Sequence, residues 1–173
     1  MLFEELSKNG LGTVADCQDV MPIIIQSFEF AALEKFATLS DLPLVMLSSY
    51  SQDYDWETIG KVAHAVGPAS DWVMNPESLT NKQQSWDKSK VDNSYSPFIE
   101  KMHELELAVH PYTLQDDMLH YRSTAYDEAQ LFVDKGVDGV FLEFPHSEHD
   151  LFSHMGSKAN FPPAYVDYSD FLS

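Results

Sequence analysis

An α/β fold built on parallel strands is what this sequence predicts, and two observations carry the prediction. Short apolar runs without polar alternation recur along the chain, at 22–27, 43–47, 107–109 and 137–144. Strands buried on both faces of a parallel sheet read in this way. Between these runs lie segments with apolar residues at helical spacing, and strand–helix alternation argues for a parallel sheet. The stretch from Leu107 to Pro145 shows the unit most fully. Two apolar runs there bracket a helix of about a dozen residues, which suits a parallel crossover. Gly136 and Gly139 punctuate the second run and Pro145 closes it, since glycine permits the turn out of a helix and proline cannot continue a ladder.

Taken in order, residues 2–9 read as the last turns of a helix stopped by Asn9-Gly10, and 11–21 as a loop. The run from Pro22 to Ser27 is a strand. Phe30, Leu33, Phe36 and Ala37 mark a helix to Leu39, and Pro43–Leu47 is the next strand. A Ser/Tyr/Asp loop from Ser48 leads to Asp55, a plausible N-cap for a helix over Trp56–Val66 that carries Ile59, Val62, Ala63 and Val66 on one stripe. Gly67-Pro68 ends that helix, and Asp71–Met74 is expected to be another short strand. Residues 75–95 are polar and read as a surface insertion. Pro97 opens a helix to Leu105. The strand–helix–strand unit follows, and the tail from His146 to Ser173 is expected to carry a short helix and a Pro-Pro and Tyr/Phe-rich end.

The chain has 173 residues, of which 44% are hydrophobic and 13% aromatic, enough for one folded core and too apolar for disorder. Ten Lys and Arg against 28 Asp and Glu leave a net charge of −18. Such a balance argues against non-specific nucleic-acid binding and against adsorption to anionic lipid. The acidity reads as a solvated, self-repelling surface. Cys17 is the sole cysteine, so no internal disulfide forms, and no Cys/His zinc spacing is present. No apolar run approaches the roughly 18 residues of a membrane span. The acidic, amphipathic start does not read as a signal peptide, which leaves either a cytosolic chain or a missing true beginning as the expectation. No glycine-rich nucleotide loop and no EF-hand spacing appears.

In a parallel α/β fold the chemistry gathers at the carboxyl ends of the strands. Four such ends can be named: Gln26–Glu29, Leu47–Ser49, His110–Thr113 and Leu142–Phe144. Glu29 is read first as a cap for the helix that follows, His110 as a satisfied core histidine, and Tyr112 as either a half-buried aromatic or a site residue. Glu143 has the stronger functional case, because a carboxylate ending a buried strand needs a partner. A salt bridge to a neighbouring loop would serve equally. His146 and His149 with Glu148 and Asp150 look like a metal cluster but sit in a polar loop, where solvation is the simpler reading. Spacing alone assigns no triad, carboxylate pair or ligand set.

Four blocks carry a resemblance: Ile25-Gln-Ser-Phe-Glu29, Val66-Gly-Pro68, Val109-His-Pro-Tyr-Thr113, and Gly136-Val-Asp-Gly-Val-Phe-Leu-Glu-Phe-Pro145. In this order they resemble the carboxyl-terminal half of a glycerophosphodiester phosphodiesterase, most closely its periplasmic or secreted calcium-dependent branch. The last two blocks are the specific ones. The resemblance implies a partial (β/α)8 barrel of the phospholipase-C-like phosphodiesterase type, about strands five to eight with their helices. It would span residues 1–155, with 156–173 as a tail. A complete barrel takes about 250 residues.

The family hydrolyses glycerophosphodiesters to glycerol 3-phosphate and an alcohol with a divalent metal, calcium or magnesium, and two histidines. Its His-Arg, Glu-x-Asp and strand-borne Glu motifs match no position here, so no catalytic or metal residue is carried over. The resemblance does imply substrate-binding places. Tyr112 would line the glycerol side, where the family commonly has Trp, with Gln26, Phe28 and Glu143 near the rim. The pair Leu142-Glu143 replaces the family's usual Thr-Asp. The implied partner is a small glycerophosphodiester, and the chain alone is expected to be inactive. A half-barrel would also leave strand edges and an apolar face open. That implies a missing amino-terminal half, a dimer, or cover by the tail. The rival expectation is a non-catalytic half-barrel that binds a partner or dimerises.

Overall fold

A computed structural model of the chain describes residues 2–18, 20–49, 53–74 and 96–144. Helices α1 (Leu2–Lys8) and α2 (Val14–Cys17) precede strand β1 (Ile25–Ser27). Then come α3 (Phe30–Ala37), β2 (Leu44–Ser48), α4 (Trp56–Ile59), β3 (Ala65–Pro68) and α5 (Ser70–Met74). The described part closes with α6 (Pro97–Glu104), β4 (Ala108–Val109) and α7 (Ala125–Lys135). The strands form one sheet in the order β1-β2-β3-β4, every pair parallel. Parallel neighbours need a crossover, and α3, α4 and the α5–α6 region supply the three.

Register sorts the strands onto two faces. Leu44, Met46, Val66 and Val109 face the helices, packing with Leu33 and Phe36 of α3, Ile99 and Met102 of α6, and Leu131 and Phe132 of α7. The opposite face carries Val45, Leu47, Ala65 and Ala108, which the pairings Val45↔Ala65↔Ala108 align in one row. The expected bare apolar face is not found here, since Val45, Ala65 and Ala108 are fully buried, with Tyr112 and Phe141 packed on this cluster. Gly67 makes that approach feasible. A methyl there would lie 2.6 Å from Leu47 Cδ2 and 3.2 Å from the Phe141 ring.

Three segments depart from the sequence reading. The stretch read as one helix over 56–66 stops at Ile59, and Ala65–Pro68 is a strand. Ile59, Val62, Ala63 and Val66 are helically spaced, but Gly60 weakens the helix interior, and pairing of Val66 with Met46 and Val109 outweighs propensity. Asp71–Met74 lies in a helix rather than a strand, packed against α6 and β3. The loop over 11–21 contains the single turn α2, capped by Thr13 Oγ1 accepting from Asp16 N–H at 3.2 Å. The insertion at 75–95, the His146–Asp150 cluster and the tail lie outside the described residues.

The expected strand over 137–144 is present as irregular pairing. Asp138 N–H donates to Val109 O at 3.0 Å, Phe141 N–H to Pro111 O at 3.0 Å, and Leu114 N–H to Phe141 O at 2.8 Å. A single parallel bridge joins Leu114 and Leu142. The segment thus occupies the far edge of β4, which it reaches because Gly136 ends α7 with φ of 85°, a left-handed turn that glycine adopts without steric cost.

Two buried carboxylates hold this edge. Asp138 Oδ2 accepts from Val109 N–H at 2.8 Å and sits 2.8 Å from His103 Nε2 on α6. The two carboxylate oxygens of Glu128 on α7 accept the backbone N–H groups of His120, Tyr121 and Arg122 at 2.6–3.2 Å, closing the loop before that helix. Removing such an acceptor leaves buried donors unmatched, at about 1–3 kcal/mol each. Asp138→Ala is therefore expected to lower stability by about 1–3 kcal/mol in urea unfolding. The Asp138 hydrogen bond raises the pKa of His103 against the opposing effect of burial. A raised folded value means that the ion pair contributes fully below pH 6.5 and is lost as pH rises through the folded value. NMR titration of wild type should show a His103 midpoint above 6.5, falling in Asp138→Asn.

Candidate functional site

Because all four strands run parallel, their carboxyl ends open on one edge, and aromatic and polar side chains gather there. Tyr112 lies three residues beyond β4. Its backbone is pinned on both sides: its N–H donates to Pro68 O and its carbonyl accepts from Ser70 N–H, each at 2.9 Å. Its hydroxyl donates to Ser48 O at the end of β2, also at 2.9 Å. The ring of Phe28, just past β1, meets the Tyr112 ring edge-on, with centroids 6.0 Å apart and planes at 80°. β1 and β4 are the two ends of the sheet, three strand spacings or about 14 Å apart if it lay flat. Residues of the outer strands thus meet across the carboxyl edge, over the face that carries Val45, Ala65 and Ala108.

The loop after β2 adds a second aromatic group. Tyr54 Oη accepts from Ser49 N–H at 2.8 Å and donates to Ser49 O at 3.3 Å. Its ring stacks on Trp56, with centroids 4.8 Å apart and planes at 20°. Trp56 meets Trp72 and Phe98 edge-on, tying this wall to the core. Asp55 caps α4 as expected, accepting from the Thr58 N–H at 3.1 Å and the Thr58 hydroxyl at 2.7 Å.

Asp71, in the first turn of α5, was missed from sequence as a site residue. Burial pushes its carboxyl up to about 6, against its own and the Trp72 backbone N–H groups. Burial chiefly, and then the charges of Tyr54 and Asp71, also raise the Tyr112 phenol. Tyr121, whose hydroxyl lies 2.8 Å from Ser70 Oγ, is raised by burial, with Asp71 adding to it. The Asp71 charge thus contributes to the raised values of both phenols. Reading Asp71–Met74 as a strand hid it, although Gly67-Pro68 followed by Ser70-Asp71 fits a strand end entering a helix first turn.

Of the residues expected near substrate, Phe28 and Tyr112 come together. Gln26 pairs in register with Val45, so it shares the Tyr112 face of the sheet, and it is exposed. Glu143 does not end a buried strand. It is exposed, and its carboxylate accepts from Gln115 Nε2, so the burial argument for it fails. Among the described residues no hydrogen bond ties Gln26 or Glu143 to the Phe28–Tyr112 pair. His110 is a buried histidine, its imidazole pushed down to about 4 by burial. Glu29 occupies the N-cap position of α3 without a capping hydrogen bond from its side chain. Among the described residues no three His, Cys, Asp or Glu side chains are placed to hold a metal ion.

The Asp71 shift has a consequence for stability. The folded value of about 6 lies above the ordinary 3.8, so the native state binds this proton more tightly than the unfolded chain. The contribution is present at low pH and is lost as pH rises between those two values. Asp71→Asn should flatten the stability profile over that interval, which urea unfolding at a series of pH values would record.

A model of the glycerophosphoryl diester phosphodiesterase family matches residues 3–147. A glycerophosphodiester phosphodiesterase of Haemophilus influenzae is 29% identical over 155 residues, covering 71% of this chain and 40% of that protein. A crystal structure from Silicibacter pomeroyi, of a protein named as a glycerophosphoryl diester phosphodiesterase, superposes with a TM-score of 0.49 at 17% identity, over 83% of this chain and 43% of that one. The chain thus spans about two fifths of the length of the curated relative it matches.

Proposed function

The chain belongs to the glycerophosphoryl diester phosphodiesterase family, and from that premise we propose that it forms the substrate-binding, carboxyl-terminal half of such an enzyme. In this reading residues 1–155 contribute about strands five to eight of a (β/α)8 barrel, and 156–173 form a tail. The observation that carries it is the meeting of Phe28 and Tyr112 across the carboxyl edge of a parallel sheet, where barrels of this kind bind substrate.

The Tyr112 ring is held by its hydrogen bond to Ser48 O and by its pinned backbone. A fixed ring of this kind offers an apolar wall to the glycerol carbons, with Phe28 beside it and Gln26 and Glu143 at the rim. Asp71 joins this set as a carboxyl that holds its proton up to about pH 6 and can then donate a hydrogen bond to a phosphate or hydroxyl oxygen.

The family hydrolyses small glycerophosphodiesters and is metal-dependent. Among the described residues no three His, Cys, Asp or Glu side chains are placed to hold a metal ion. We assign calcium or magnesium, and the catalytic histidines, to the other half of the parent enzyme, of the calcium-dependent periplasmic or secreted branch. The 173-residue chain should show no turnover of glycerophosphocholine. Metal-dependent release of glycerol 3-phosphate by the isolated chain would refute the assignment. In the complete enzyme, Tyr112→Ala should lower kcat/KM about three- to tenfold, mostly through KM, from the lost aromatic contact.

A non-catalytic half-barrel that dimerises is the second reading, and one feature favours it. Among the described residues β1 ends the sheet, and Val20, Met21 and Ile24, just before and at its start, are exposed. An open edge flanked by apolar side chains pairs readily with another strand. A concentration-dependent dimer in light scattering would support this reading. A monomer at all concentrations would oppose it.

A further inference from the structure

Tyr112 is held by contacts outside its own strand. Its N–H donates to Pro68 O and its carbonyl accepts the Ser70 N–H, each at 2.9 Å, around a lone parallel bridge with Ala69. The backbone that grips it is thus 68–70, the turn from β3 into α5. α5 has only five residues, and a helix of that length has almost no hydrogen bonds of its own. The grip on Tyr112 is therefore only as firm as whatever else holds Ser70.

The Tyr121 side chain does so. Its hydroxyl lies 2.8 Å from Ser70 Oγ, across 51 residues of sequence. Tyr121 is buried, and its ring meets Phe132 of α7 edge-on, with centroids 6.2 Å apart. The loop that carries it is fixed from the same helix. Glu128, a buried carboxylate, accepts the backbone N–H groups of His120, Tyr121 and Arg122. A continuous set of contacts thus runs from Glu128 and Phe132 through Tyr121 to Ser70, and on to the Tyr112 carbonyl.

Packing alone accounts for the Tyr121 ring, and phenylalanine would fill the same space beside Phe132. It does not account for the hydroxyl, which meets a residue whose backbone holds Tyr112. We propose that Tyr121 is a positioning residue for the Phe28–Tyr112 pair, acting through Ser70, with Glu128 holding it in place. That the pair serves substrate rests on the function proposed above. That Tyr121 fixes the pair does not, since it is read without turnover.

NMR of the 173-residue chain carrying Tyr121→Phe tests this, because the change deletes the hydroxyl and keeps the ring. The Ser70 and Tyr112 amides should exchange with solvent about two- to tenfold faster than in wild type, the loss expected for one net hydrogen bond. The ring signals of Phe28 and Tyr112 should move, since the two rings lie edge to face at 6.0 Å. Exchange at Val45 and Val66, in the centre of the sheet, should stay as it is. Ser70→Ala should give the same pattern. The double variant should be no worse than either single one, because both remove the same bond. Acceleration that extends equally to Val45 and Val66 would make Tyr121 a core residue only. Unchanged Ser70 exchange and ring signals, or additive effects of the two variants, would equally overturn the proposal. The substrate role of the pair is read separately, by kcat/KM of Tyr112→Ala.

Discussion

The parallel pairing of β2 with its two neighbours is the constraint on which the rest depends. Every residue of Leu44–Ser48 is buried, so this strand contributes apolar side chains to both faces at once. A strand buried on both sides needs covering layers on both. On one side α3, α6 and α7 provide it, and on the other Tyr112 and Phe141 pack on Val45, Leu47, Ala65 and Ala108. Parallel direction then sends the carboxyl ends to one edge, and that edge collects Phe28, Tyr54, Asp71 and Tyr112. The candidate site is thus a consequence of strand direction before it is a consequence of any motif.

Its chemistry is shaped by burial more than by ion pairs. Asp71, Tyr112 and Tyr121 all move toward their protonated forms because water is withdrawn from them. Desolvation disfavours the charged form of each. His110, close behind, moves toward neutrality for the same reason. At the mouth of the sheet burial thus makes the Asp71 carboxyl a weaker acid than the carboxylates outside it. Glu29, Asp53 and Glu143 are exposed.

Charged side chains that are buried serve the backbone instead. Asp138 completes the hydrogen bonding of β4 where no regular fifth strand does so, and Glu128 gathers three N–H groups of the preceding loop. Asp138 stands beside the irregular pairing of 138–143 with Val109, Pro111 and Leu114. A ladder interrupted there needs acceptors from side chains, since unpaired buried donors are costly.

Sequence alone determined the α/β class, the parallel direction, and the places of β1, α3, β2, α6, β4 and α7, because apolar runs and capping signals such as Asp55, Pro97 and Gly136 act locally. It also placed Phe28 and Tyr112 at strand ends. Tertiary structure decided what depends on partners far along the chain. Val66 became strand because Met46 and Val109 pair with it, and Asp71 turned helical beneath α6. Glu143 came out exposed, and Phe28 met Tyr112 across the width of the sheet. Local pattern records how a residue prefers to pack, whereas these outcomes follow from which surface it finally packs against.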